Sequence, residues 1–418
     1  METFTGWQYL LIDCANQWGL DKELFHTRIE WVETNLAQLE SLEAQRLGKW
    51  KERPLFLKAV QAIRKAQQGK PTGHMIGFDA CNSGMQIMSA TTGCHAGALS
   101  TGLVDPTVRA DAYKRCMTLM LKWVPNLPDE ERESVKQAVM TVLYGSRMEP
   151  INLFGEGTPE LNAFYKAMWK LAPGACELLQ DTLDSWQAYA LTHDWLMPDN
   201  GHVHIPVMDK VEKRIEVDEL DHATFTYKYK VNEGSEKGLS NAANITHSID
   251  AYTLRSIIRR CNYDYFQLSW AQRVIDNILI ERDVEHTQPE TNSESNPLFT
   301  TLKKRYKASQ MADIRILDEA NDRTLRNLTT THLKRLLRTV NQCLVHAPFE
   351  VICIHDDFKS HANNMNHLRF HYKEILAELA ESEILSDIFT QIYGQNVVYQ
   401  KKSHTLGDVI RGSNYALS

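Results

Sequence analysis

Apolar residues recur at three- and four-residue spacing through Leu24 to Leu42, Arg53 to Gln68, Val108 to Trp123, Glu130 to Leu143 and Ala251 to Arg260. That period puts them on one face of a helix, and a chain with so many amphipathic helices must bury those faces against one another. Two stretches break the pattern. The segment from Arg214 to Val231 turns strand-like, with Thr224-Phe-Thr-Tyr-Lys-Tyr-Lys-Val231 alternating apolar and polar before Asn232-Glu-Gly-Ser235, and predicts a projecting hairpin. Phe349-Glu-Val-Ile-Cys-Ile-His355 is a β-branched run ending in Asp356 and Asp357, and predicts a buried strand that delivers acids at a turn. The expected class is α+β, rich in helix.

A length of 418 residues allows two or three structural units. No run reaches the roughly 18 consecutive apolar residues that span a bilayer, and the start, Met1-Glu-Thr-Phe-Thr-Gly-Trp, carries neither a signal nor a transit pattern. Those features predict no membrane partner and a cytoplasmic location. The eight cysteines are scattered without a CxxC pair, as for reduced thiols. His202 with His204, and His367 with His371, lack a third ligand pattern and are expected at the surface. The net charge of −7 excludes coating of nucleic acid by bulk electrostatics but leaves room for a local basic channel. Basic residues gather from Arg46 to Lys70 and from Lys303 to Arg338, stretches that taken alone read as solvated helix faces. His286 to Pro297, polar with two prolines, reads as a loop or linker bounding an insertion.

Chemistry concentrates in three segments. Gly77-Phe-Asp79-Ala-Cys-Asn-Ser83-Gly84-Met-Gln86 brings an aspartate to a turn of small residues; alone, such a residue reads as a cap or turn former. Arg132, Lys136, Met140 and Tyr144 follow at spacings of four, with Pro128-Asp129 opening the helix and Gly145 ending it. Spacing of four keeps these side chains on one face. Two cations a turn apart suit a triphosphate, although Glu130, Glu131 and Glu133 also allow a plain salt-bridged face. The third segment, His355-Asp356-Asp357-Phe358, offers paired carboxylates of the kind that ligate Mg²⁺.

In this order the three segments resemble motifs A, B and C of the single-subunit RNA polymerases of phages and mitochondria, relatives of the family A DNA polymerases. Motif A, Asp-x-x-x-Ser-Gly-x-Gln, is matched at Asp79, Ser83, Gly84 and Gln86; motif B at Arg132, Lys136, Met140, Tyr144 and Gly145; motif C, His-Asp-x-Phe, at His355, Asp356 and Phe358. Gly19-Leu-Asp-Lys22 is similar to the segment whose lysine reaches the incoming nucleotide. Asn244 to Asp250 is similar to the one whose histidine, here His247, contacts that nucleotide, and Asp105 to Tyr113 to the helix whose tyrosine lies beside the sugar. The end, Tyr415-Ala-Leu-Ser418, resembles an aromatic tail that folds back toward the site.

The resemblance implies a right-hand polymerase fold of palm and fingers, lacking most of the thumb and the N-terminal promoter domain. It implies a helical part at 1–76 beside the palm, palm with motif A at 77–120 and fingers with motif B and a specificity-loop-like hairpin at 121–262. A family-atypical helical insertion would occupy 263–347, and palm with motif C and the tail 348–418. Asp79 and Asp356 would hold two Mg²⁺ ions. Lys136, Tyr144 and His247 would join them in catalysis, and Lys22, Arg132, Met140, Gly145, Gly84 and Tyr113 would bind the nucleotide. The family A DNA polymerases carry a Glu where this chain has Gly84, so ribonucleoside triphosphates are the expected substrate, with DNA template and RNA product as partners.

An Asp-x-x-Gly-Arg segment expected ahead of motif A is absent from this sequence. The arrangement resembles the large chain of the two-subunit RNA polymerases of N-four-like podoviruses. It implies a small polymerase subunit, an accessory DNA-binding recruitment factor, and work in the cytoplasm of an infected bacterium. The competing readings are a family A-like DNA polymerase and a non-catalytic nucleic-acid-binding subunit of the same fold.

Overall fold

In the computed structural model, the described residues are 1–39, 41, 53–127, 132–234, 238–285, 289 and 296–418. Helices dominate. Those at Phe25–Leu39, Arg53–Gln67 and Ala112–Met120 follow the apolar periodicity, and each ends inside the span that the pattern predicts. The last periodic stretch is longer than expected: its helix runs over Ser240–Cys261, because its first turns bury Asn241, Thr246 and Ser248 alongside Ile245 and Ile249, and buried polar residues mask the apolar period. Pro128 and Asp129, the expected helix opening, lie outside the described residues, as do Arg46, Lys49 and Lys51 and most of the polar linker.

Seven strands form three small antiparallel sheets among the described residues. β1 (Met75–Asp79) pairs with β7 (Asp357–His361), and β7 with β6 (Ile352–Ile354), in the order β1-β7-β6. β2 (Thr192–Leu196) pairs with β3 (His202–Pro206), and β4 (Met208–Val217) with β5 (Ala223–Gly234). The β4–β5 pair is the expected hairpin, longer than its sequence signal. The strand before Asp356 departs from expectation. β6 is three residues at the sheet edge, and Ile352 and Ile354 are about half exposed rather than buried. An edge strand has one ladder side open, so β-branching here meets solvent instead of core.

Two apolar cores form. One gathers residues from Phe4 to Leu417 and packs the Gly6–Ala15, Ser83–Thr92 and Met365–Glu381 helices around β1 and β7. The other draws only on residues from Tyr263 to Cys343, with Leu268, Ile275, Phe299, Leu302, Leu333 and Leu336 at its centre. Buried ion pairs tie it to the first: Arg259 to Asp313 at 2.7 Å, Arg260 to Glu378 at 2.5 Å and Arg305 to Asp387 at 2.8 Å. Truncating one partner of such a pair strands a buried charge and costs about 3 to 5 kcal/mol.

The histidine expectation is corrected in part. His202 and His204 are exposed and both rest on Asp194, at 3.1 and 2.7 Å. His371 is fully buried, because the turn before β6 brings His346 to it, Nε2 to Nε2 at 2.8 Å. The Ala347 carbonyl lies 2.9 Å from His346 Nδ1. A carbonyl only accepts, so Nδ1 carries the proton, Nε2 accepts, and His371 donates. Burial and then Arg260 hold the His371 pKa well below its ordinary value. The unfolded chain therefore binds a proton that the folded chain refuses, and stability falls as pH drops below about 6.5, by about 1.4 kcal/mol per pH unit for this group. Urea melts at pH 7.5 and 5.5 should show that loss, and His371→Asn should shrink it.

Candidate active site

β1 and the β6–β7 turn place two acids side by side. Asp79 ends β1 opposite Asp357, and the Ala80 amide donates to the Asp356 carbonyl at 3.0 Å. His355 and Asp356 are the two turn residues between Ile354 and Asp357. His355 takes φ 56°, a left-handed conformation that a hairpin this tight demands and a non-glycine residue adopts at some cost. Asp357 lies over Gly77, where a Cβ would come within 2.6 Å of Oδ1, and pairs with Lys359 at 2.9 Å.

The chain's end closes the other side. Ser418 N donates to the Asp79 carbonyl at 3.1 Å, and Ala80 bridges to Leu417. Tyr415 stacks on Phe25 with ring centres 4.8 Å apart. Gln86 is wholly buried beneath: its amide donates to Ala416 O at 2.8 Å and Thr101 O at 2.9 Å, and Tyr372 Oη donates to its Oε1 at 2.6 Å. Gln86 is thus a brace for the tail.

A cleft of about 580 Å³ opens over this floor. Asp79, Asp356, Lys136, Met140, Tyr144, Gly84, Lys22 and Tyr113 all line it, drawn from segments far apart in the chain. The Arg132 side chain lies outside the described residues, although its backbone begins the helix that carries Lys136. Gly145 is off the cleft, at φ 89° in the turn after that helix, against a separate pocket of about 190 Å³. His247 is also off the cleft wall, but its ring lies 4.7 Å from that of Tyr144.

Tyr144 and Gly84 are shaped to each other. A Cβ on Gly84 would sit 2.3 Å from Tyr144 Oη. Asn82, with φ 65°, starts the Ser83–Thr92 helix and accepts from Met85 N at 3.1 Å, which fixes where Gly84 stands. Burial first, then the charges of Asp250 and Asp356, push the Tyr144 phenol up to about 12, so it acts as a neutral donor.

The electrostatics call for a cation. Burial and then the charge of Asp79 raise the Asp356 carboxyl, with Lys136 offsetting them. Asp250 is pushed up to about 6 by burial and then by Asp356. Among the described residues no side chain hydrogen-bonds or pairs with the carboxylate of Asp79 or Asp356. Two acceptor-only groups of like charge, only partly offset by Lys136, suit a hard divalent ion such as Mg²⁺, which takes oxygen ligands and leaves positions for substrate phosphates.

The Asn244 to Asp250 and Asp105 to Tyr113 segments hold Asp250 and Arg109, to which the sequence assigned no role, and Arg109 lines the cleft. Asp250 had a signal, since it stands three residues after His247 on one helix and shares its face.

Residues 3–152 match the family model described as DNA-dependent RNA polymerase, a span that holds Asp79, Lys136 and Tyr144. No curated protein sequence matches the chain. His247 and Asp356 lie beyond that span and reach it through the Tyr144 ring contact and the β1–β7 sheet. Over residues 3–152 the chain is similar to the family of DNA-dependent RNA polymerases.

Proposed function

We propose that this chain is the catalytic subunit of a DNA-dependent RNA polymerase, adding ribonucleotides to the 3′ end of an RNA. The observation that carries it is the convergence of Asp79 and Asp356 in one cleft with Lys136, Tyr144, Lys22 and Tyr113. In this reading the β1-β7-β6 sheet is the palm floor, and the Arg132–Val142 helix with the β4–β5 hairpin belongs to the fingers.

Asp79 and Asp356 would hold two Mg²⁺ ions, which when bound stabilise the attacking 3′ oxygen and the leaving pyrophosphate. Lys136 on the cleft wall, with Arg132 one turn before it, grips the triphosphate and can protonate the leaving group. Lys22 adds a cation, paired at the surface with Asp21 at 2.9 Å. Tyr144 presents a neutral phenol to the sugar, and Gly84 leaves the space that a ribose 2′-hydroxyl needs. His247 backs the phenol.

A small polymerase subunit and an accessory DNA-binding recruitment factor complete the proposal, in the cytoplasm of an infected bacterium. Its support is the resemblance to two-chain enzymes.

Primer extension on a DNA template with Mg²⁺ tests the reading, with ribonucleotides against deoxynucleotides, the small subunit present or absent, and Asp356→Asn as blank. Ribonucleotide extension lost in the blank is the expected result. Extension with deoxynucleotides alone would assign the chain to DNA synthesis, and no extension under any condition would end the catalytic reading.

A further inference from the structure

We infer that Arg109 is a substrate-binding residue of the same cleft, whose guanidinium takes a phosphate oxyanion of the bound nucleotide or of the growing RNA end. The inference rests on the polymerase reading and adds a residue that none of the motifs contains. Arg109 lies in the irregular stretch before the Ala112–Met120 helix, half-buried, and lines the cleft with Asp79, Asp356, Lys136 and Tyr113.

Its bonding is incomplete. Nη1 donates to the adjacent Ala110 carbonyl at 2.8 Å, while Nε is buried without a partner. Among the described residues no carboxylate pairs with it. The nearest acid in sequence, Asp111, uses Oδ1 to cap the helix, accepting from Tyr113 N at 3.0 Å and Lys114 N at 3.1 Å. A guanidinium has five N–H donors in a planar fork that matches phosphate oxygens two at a time. Held half-buried with donors unspent, it is a cation that lacks its anion.

Arg28 sharpens the point. It is fully buried and spends its donors on Asn16 Oδ1 and the carbonyls of Asp21 and Glu23, at 2.8 to 3.0 Å. Its pKa is pushed down to about 10 by burial and next by the charge of Arg109, so the two guanidiniums feel each other. The cleft is thus lined by the cations Lys22, Arg109 and Lys136 beside the acids Asp21, Asp79, Asp111 and Asp356. A polyphosphate neutralises the first as metal ions neutralise the second.

The test uses the full chain with its small subunit, and compares wild type, Arg109→Gln and Arg109→Lys. Steady-state extension at saturating primer-template gives KM and kcat for the ribonucleotide; fluorescence anisotropy gives Kd for the primer-template. If the phosphate belongs to the nucleotide, Arg109→Gln raises KM about tenfold or more, well beyond its effect on kcat, and Arg109→Lys recovers part of it. If it belongs to the RNA end, the primer-template Kd rises by that factor and KM stays. Unchanged KM and Kd would overturn the inference. So would equal losses in Arg109→Lys and Arg109→Gln together with a lowered Tm, the mark of a purely structural role. Calorimetric titration with inorganic tripolyphosphate reads the nucleotide arm without turnover. Should wild type extend no primer, the polymerase reading fails, while weaker tripolyphosphate binding in Arg109→Gln still decides for or against Arg109.

Discussion

Asp356→Asn should lower ribonucleotide incorporation by about 10³-fold or more, while the chain folds as before. The change keeps the size of the side chain and its place in the turn between β6 and β7, and removes the charge. A metal ligand stabilises charge that develops only in the transition state, a contribution of several kcal/mol, and each 1.4 kcal/mol or so is a factor of ten in rate. Its effect on stability runs the other way. Without metal, Asp356 sits half-buried in the field of Asp79 and carries a charge that the fold disfavours. Removing it relieves like-charge repulsion, so the metal-free variant should melt at the wild-type temperature or slightly above. Single-turnover extension in Mg²⁺ and thermal melts in a chelator check the two halves. A rate loss accompanied by a lower melting temperature would mean that Asp356 is a structural group.

How much of this was legible beforehand depends on whether a feature is local. Asp79, Lys136 and Tyr144 stand in segments whose spelling is itself the signal. The Arg53–Gln67 helix was legible because its apolar period is undisturbed. The second core at Tyr263 to Cys343 follows the span between the Ser240–Cys261 helix and β6, but no spacing reveals that Arg259, Arg260 and Arg305 anchor it. His371 looked like a surface residue because its partner, His346, stands far outside any helical repeat. β6 looked buried because β-branching marks strands without marking edges. Arg109 lies in the Asp105 to Tyr113 segment but carries no signal of its own: only the folding of its stretch into the cleft with Asp79 and Asp356 gives it a neighbourhood. Gln86 had a motif position, yet its work as the tail's brace appears only once Ala416 and Tyr372 are beside it.

If Gly84 and Tyr144 set the choice of sugar as proposed, Gly84→Ala should cost about 10²-fold in incorporation and Tyr144→Phe should mainly relax selectivity. A methyl on Gly84 would stand 2.3 Å from Tyr144 Oη and 3.2 Å from Cζ, too near for either atom to stay. The helix cannot yield, because Asn82 pins its first turn and Met85, Gln86 and Ile87 are buried in the core. Tyr144 must therefore move, away from the cleft or into His247. A displacement of about 1 Å at a positioning group can cost 10² in rate. Tyr144→Phe deletes the clashing atom along with the hydroxyl that, on the proposed reading, addresses the sugar, so its rate loss should be small while the preference for ribose should drop about tenfold, the worth of a hydrogen bond to a polar substrate group. The double variant then discriminates. With the hydroxyl gone, Gly84→Ala has only the 3.2 Å contact to absorb, and Gly84→Ala/Tyr144→Phe should recover most of the rate lost in Gly84→Ala while keeping the relaxed selectivity. Strict additivity of the two changes, measured as kcat/KM for ribo- and deoxynucleotides, would show that Gly84 acts on the sugar without passing through Tyr144.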